Sequence, residues 1–339
     1  MRSLLAAVIL ACCAFALPVR AADLPADYFK SKTIRITVGA APGGLYDQHA
    51  RLMARHLGKH LPGNPSVIVE NAPGAGSLKT ALYIYTAAPK DGTVLGVFNR
   101  GLAVGPLIDP ATNTFDARKF NWIGATSKEV AVGVAWHTAA VKRFDQLATT
   151  QWIVGATGIT DDSGALPNML NALFGTKIKI VTGYSGGSTV VLAIEKGEVE
   201  GRFWSWGAFK AERMQWLTDK QINLVVQLAL ERAPDLPDTP FIMDFAKTDE
   251  QRQILQLALV GQSFAWPTIA PPGVPAPVVA ALRAGYRDAA NDPALRADGE
   301  RAGLSIIYVP GEEINQLVDK VYETPPAIIK RAREIFATH

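Results

Sequence analysis

Cysteine is almost missing from this chain. Only Cys12 and Cys13 occur among its 339 residues. From residue 14 onward there is no disulfide, no thiolate ligand and no cysteine nucleophile, so stability has to come from core burial. Histidine is scarce as well, with five in the chain. His49, His56 and His60 stand at i, i+7 and i+11, one stripe of a helical segment. The stripe lies about a quarter-turn from the apolar face, where polar flank residues sit. No carboxylate joins it, and Gly58 weakens the helix between His56 and His60. Neither a metal site nor any other cofactor is expected.

A charge excess is lacking too. Thirty-four Lys and Arg against 31 Asp and Glu leave +3, too little to argue for nucleic acid. No apolar run is long enough to span a bilayer. The longest, residues 4–17, follows Arg2 and precedes Pro18-Val19-Arg20-Ala21, which places small residues for cleavage after Ala21. Residues 1–21 are therefore expected to be a signal peptide, and the chain to be exported. Repeats and low-complexity tracts are absent. A composition of 48% hydrophobic and 19% charged residues describes a well-packed globular protein of one large or two medium domains.

What is present is a repeated grammar of strand, glycine-rich loop and helix. Residues 33–38 alternate apolar and polar side chains and read as a strand. Pro42-Gly43-Gly44 follows, and then apolar residues recur at helical spacing over 47–61. Residues 66–70 form a second strand, ending in Asn71-Ala72-Pro73-Gly74-Ala75-Gly76-Ser77, with a helical run over 78–87. In a parallel sheet such loops lie side by side at the carboxyl edge. Bare backbone N–H groups at helix N-termini suit an anion, so Gly43, Gly44, Leu45, Tyr46 and Asp47 with Ala75, Gly76 and Ser77 are candidate jaws around one anionic group. A third strand over 93–98 ends in Asn99-Arg100, and Arg100 is the nearest cation able to pair with a carboxylate.

Pro42-Gly43-Gly44-x-x-Asp47-x-x-Ala50-Arg51, Val69-Glu70-Asn71-x-Pro73-Gly74-Ala75-Gly76 and Ala88-Pro89-x-Asp91-Gly92 resemble the opening third of the Bug-type extracytoplasmic solute receptors. These are the substrate-binding components of tripartite tricarboxylate transporters. Gly183-Tyr184-x-Gly186, Gly197-x-Val199-Glu200, Leu236-Pro237-Asp238-x-Pro240 and Ala270-Pro271-x-Gly273-x-Pro275 continue the likeness. The resemblance implies an α/β, two-lobed periplasmic binding protein of type II-like arrangement with its ligand cleft between the lobes. It implies a periplasmic monomer that takes a small organic carboxylate, has no cofactor, and delivers its ligand to membrane subunits of the transporter. A sensor feeding a signalling partner is the alternative within binding proteins. This chain departs from the family pattern at Leu45-Tyr46, at Ser77-Leu78-Lys79 and at Arg202-Phe203-Trp204, so a citrate-like ligand does not follow.

The second half repeats the grammar. Strands are expected at 130–136, 152–155, 177–181 and 199–204, helices at 166–174, 189–196 and 248–259, and a Pro-rich crossover at 265–277 before helices at 278–291 and over most of 310–339. Residues 22–129 and 262–339 would form the first lobe and 130–261 the second. From the second lobe, Gly158, Thr160, Ser163, Tyr184, Ser185 and Gly186 are candidate ligand contacts, and Trp204 and Trp206 a candidate apolar wall. Gly183-Tyr184-Ser185-Gly186-Gly187 also matches the nucleophile elbow of serine hydrolases. In that fold a histidine follows the serine, and here only His339 does. An exported hydrolase using Ser185 is the rival class, and catalysis is not expected.

Overall fold

The computed structural model describes residues 24–158 and 162–336. The expected signal peptide, Thr160 and His339 lie outside them. The chain begins with β1 (Thr33–Val38), α1 (Leu45–Leu57), β2 (Ser66–Asn71), α2 (Leu78–Thr86), β3 (Val94–Val97), α3 (Gly105–Ile108) and β4 (Asn121–Ala125). A second block follows: β5 (Ala131–Trp136), β6 (Trp152–Gly155), α4 (Asp162–Phe174), β7 (Ile178–Val181), α5 (Gly187–Glu195), β8 (Gly201–Ser205), α6 (Trp206–Thr218), β9 (Ile222–Leu228) and α7 (Asp249–Leu259). The chain then supplies β10 (Thr268–Ala270), α8 (Ala276–Asn291), α9 (Pro293–Arg301), β11 (Val309–Pro310), α10 (Gly311–Tyr322) and α11 (Pro326–Phe336).

Two sheets result, in the orders β11-β4-β10-β3-β1-β2 and β7-β6-β8-β5-β9. The first takes strands from both ends of the described chain; the second is built wholly from the middle. β1 pairs parallel with β2 and β3, which sets the loops after all three strands on one edge. The returning β10 is antiparallel to β3 and β4, so the sheet is mixed rather than mostly parallel. The sheets are joined by two neighbouring segments. The Glu129 amide donates to the Gln262 carbonyl (2.7 Å) and the Ala265 amide to the Ser127 carbonyl (2.7 Å). Helix α11 packs on both sides of this junction, with Ala332 in a core of the first sheet and Ile335 in the core of the second.

Burial follows from the strand patterns. Ile34, Ile36 and Val38 of β1 are fully buried beneath α1 and α8. In the second sheet the fully buried Trp152 lies against β8, where Gly201 makes room for it. A Cβ at Gly201 would stand 2.2 Å from the Val134 carbonyl oxygen and 2.7 Å from the Trp152 ring. Truncating a buried tryptophan of this kind costs about 3–5 kcal/mol. The histidine stripe differs from the sequence reading. His49 is buried against Trp266 and Thr126, and His56 where α9 brings Asp298 onto α1. His56 Nε2 lies 2.8 Å from Asp298 and His60 Nε2 3.0 Å from Asp292, carboxylates contributed by distant parts of the chain.

Candidate functional site

Between the sheets lies a cavity of about 670 Å³. Its wall takes Tyr46, Gly76, Asn99 and Arg100 from the loops of the first sheet. Ser163 and Asp162 at the start of α4, with Arg202, Trp204 and Ser205 of β8, come from the second. Glu129, Gln262 and Trp266 belong to the joining segments.

Arg100 is the centre of this arrangement. Its backbone N–H donates to the Tyr46 hydroxyl (3.0 Å). Its Nη2 donates to Asp162 Oδ2 (2.8 Å) across the cleft and to Gln262 Oε1 (3.1 Å). Gln262 Nε2 donates in turn to Asp162 Oδ2 (3.4 Å). The guanidinium carbon lies 5.6 Å from the Trp266 ring centroid, and the side-chain stem lies against Gly261. Burial works against the charge of Arg100, and the acidic groups around it, Asp162 foremost, together more than offset it, so the group is held cationic. Tyr46 is partly buried and its hydroxyl pushed up by desolvation, which keeps it neutral.

Glu129 is 9% exposed and accepts a hydrogen bond from the Ser205 hydroxyl. Burial pushes its carboxyl up; the Ser205 bond and the Arg100 charge offset this only in part. Ser205 ends β8 and caps α6 by accepting from the Ala208 amide (3.2 Å). Arg202 is 7% exposed. It donates to the Gly187 carbonyl (2.8 Å) and lies over Trp204, its guanidinium carbon 4.2 Å from the ring centroid.

Trp266 carries backbone strain. Its φ of 59° is in the left-handed region, unfavourable for an aromatic residue. Its ring is stacked on His49 (5.2 Å between centroids) and meets the edge of Tyr46 (4.7 Å). His49 also bonds Thr126 Oγ1 (2.9 Å), and burial lowers its pKa to about 3, so it stays neutral.

The candidate residues thus divide. Tyr46, Gly76, Asn99, Arg100, Ser163 and Trp204 line the cavity. The first loop is largely consumed by its own structure. Asp47 accepts from the Gly43 amide (2.8 Å), Arg51 Nε (2.9 Å) and Asn71 Nδ2 (2.9 Å). Burial raises that carboxyl, but these three donors outweigh it and hold it below the usual range. Gly43, Gly44 and Leu45 do not line the cavity, and Leu45 packs on the first core. Ser77 donates to the Gly39 carbonyl (2.9 Å). Ala75 and Ser77 flank Gly76 with φ of 46° and 78°, so the second loop is a left-handed turn whose outer residues are not glycine.

In the second lobe Gly158 and Gly186 do not line the cavity, and Ser185 is exposed at its loop. Tyr184 packs on a small core with Val190, Ile194 and Val199. Trp206 begins α6, is 5% exposed and donates to Asp235 (2.8 Å). For Ser185 as a nucleophile, His49, His56 and His60 are engaged with Thr126, Asp298 and Asp292. Glu129, Arg202, Ser205, Gln262 and Trp266 were not candidates from sequence. Arg202 shares side-chain parity with Trp204, and Trp266 sits in the Pro-rich crossover; those were their only signals.

Known proteins resemble this chain in sequence and in fold. A UPF0065 protein of Bordetella pertussis is 38% identical over 91 residues, 27% of this chain and 28% of the relative. The chain spans between about a quarter and a half of the length of the curated relatives it matches. A TctC solute-binding protein from Polaromonas superposes with a TM-score of 0.69 at 17% identity, covering 88% of this chain and 98% of that one. MatC from Rhodopseudomonas palustris, solved with bound malate, superposes with a TM-score of 0.59 at 22% identity, covering 90% and 98%. At these identities the two structures share the fold. The family model for the tripartite tricarboxylate transporter family receptor (TctC) matches residues 49–333, and the chain belongs to that family.

Proposed function

We propose that this is a periplasmic solute-binding protein that closes two lobes on an organic carboxylate. The lobes are residues 22–129 with 262–339 and residues 130–261, hinged where Glu129 and Gln262 bond each other. As a monomer it hands its ligand to the membrane subunits of a tripartite tricarboxylate-type transporter, and it performs no catalysis. The observation that carries the reading is Arg100. It is a largely shielded cation lining the cavity, held 2.8 Å from a carboxylate that reaches it from the opposite lobe. A site that holds its own carboxylate in that geometry suits a ligand carboxylate. Family membership and the malate bound to MatC support the same chemistry. Tyr46, Gly76, Asn99, Ser163 and Trp204 are the proposed contacts around it, joined by Glu129, Arg202, Ser205, Gln262 and Trp266.

Thermal shift with a panel of organic carboxylates and their matched amides checks this. A carboxylate present at 100 times its dissociation constant adds about 2.7 kcal/mol and raises the melting temperature, while its amide does not. Ester hydrolysis that disappears in Ser185→Ala, or shifts with the amides alone, would overturn it.

A further inference from the structure

We infer that the ligand is a monocarboxylate with an apolar body of aromatic or medium-chain aliphatic kind, rather than a di- or tricarboxylate. This rests on the carboxylate-binding reading above and narrows it. Two groups of observations carry it.

The first is the charge on the wall. Among the described residues the cavity is lined by two cations, Arg100 and Arg202, and by three carboxyls, Asp109, Glu129 and Asp162. Both cations already have partners inside the protein. Arg100 is bonded to Asp162 and Gln262, and Arg202 to the Gly187 carbonyl with its face on Trp204. One ligand carboxylate can be met at Arg100, beside Asp162 or in exchange for it. A second would have no cation of its own and would face Glu129 and Asp162. An unpaired charge taken out of water is strongly disfavoured. A dianion therefore gains nothing at this wall from its second charge.

The second is the rest of the surface. Trp204 lies against Arg202 and Trp266 against Arg100, and Leu166, Phe203, Leu257 and Phe336 also line the cavity. None of these six offers a hydrogen bond to a second carboxylate except through an indole N–H. The volume of about 670 Å³ falls within the range of pockets that enclose drug-sized ligands, far beyond what a four-carbon diacid fills. Burying the methylene groups of an apolar body strengthens binding about fourfold per CH₂.

Calorimetry with two matched pairs tests the inference on the whole mature protein. Hexanoate is compared with adipate, and 4-methylbenzoate with terephthalate; in each pair the second carboxylate replaces a methyl group. At least one monoacid is expected to bind ten times or more tighter than its diacid. In Asp162→Asn, whose side chain is largely exposed, the diacids should gain more than the monoacids and the gap should narrow. Tighter binding of both diacids in the wild type overturns the inference and leaves the carboxylate receptor standing. A gap unchanged by Asp162→Asn also overturns it, because the electrostatic reason is then wrong. If none of the four acids binds, while the neutral amides of the two monoacids do, both this inference and the carboxylate reading fail.

Discussion

Gly43 and Gly76 offer a matched comparison for how the ligand is held. Both have left-handed backbone, with φ of 84° and 60°. A Cβ built on either meets no atom within 4 Å. Alanine at either position therefore costs only the strain of the left-handed region, roughly 1–2 kcal/mol, partly offset by about 0.4–1 kcal/mol of lost freedom in the unfolded chain. The two variants should lose similar stability, about 1 kcal/mol, in urea denaturation. They differ in one respect: Gly76 lines the cavity and Gly43 does not, because the Gly43 amide is bonded to Asp47.

If the backbone around Gly76 grips the ligand, its new methyl group occupies the space where the ligand approaches. A lost charge-assisted hydrogen bond is worth roughly 1.5–3 kcal/mol, so Gly76→Ala should weaken binding about tenfold or more. Gly43→Ala should bind as wild type does. Calorimetry on both variants, with the tightest-binding monoacid from the matched pairs, reads the difference directly. Equal affinity in Gly76→Ala and wild type refutes the backbone grip and leaves Arg100 to hold the carboxylate alone. An equal loss in both variants would mean that the first loop also reaches the ligand.

Two further outcomes concern pH. The carboxyl of Glu129 is raised by burial, so its neutral form is favoured in the folded protein and stability falls as pH rises through its folded pKa. Glu129→Gln mimics the neutral form; its melting temperature relative to wild type should rise from pH 4 to pH 8, and a flat difference would contradict the assignment. His49 has the opposite sign. Its pKa is lowered to about 3, so its contribution is complete above the unfolded value of 6.5 and is lost as pH falls toward 3. The advantage of wild type over His49→Gln in urea should shrink by about 2 kcal/mol between pH 7 and pH 5, at about 1.4 kcal/mol per unit below 6.5.

Strands with clean alternation or β-branched runs, such as β1 and β2, were readable because one face of each is buried and the pattern follows. The short strands were not. β10 has three residues inside a stretch of prolines, and β11 has two. They are strands only because β3 and β4 stand ready to pair with them. Helix α6 was missed because its residues Trp206, Phe209 and Trp216 are buried among aromatic neighbours, with no simple apolar stripe. Side-chain parity predicted that Trp204 and Trp206 share the environment of Arg202. It carries through to Trp204 and stops at Ser205, where the strand ends and the Ser205 hydroxyl starts a helix. The histidine stripe fell on a flank that is polar in sequence, and distant parts of the chain bury it: Thr126 and Trp266 at His49, and α9 at His56. In each case the deciding partner lies more than fifty residues away or in another element, where a local pattern carries no signal.

The same distance explains why the cleft is built differently from its most conspicuous motif. The glycine-rich first loop looks like a binding element, yet Asp47, Arg51 and Asn71 lock it from within, so its main product is rigidity. Apart from Tyr46, the groups that face the cavity come from the second and third loops, from α4 and β8, and from the two joining segments. Gln262 connects these roles. Its backbone carbonyl accepts from Glu129 across the joint, while its side chain touches both Arg100 and Asp162. A carboxylate that displaces Asp162 from Arg100 must also rearrange Gln262, and Gln262 is part of the connection between the lobes. On the proposed reading, binding at Arg100 and the angle between the lobes would be coupled through one side chain. The coupling needs no longer pathway, because the site and the joint share a residue.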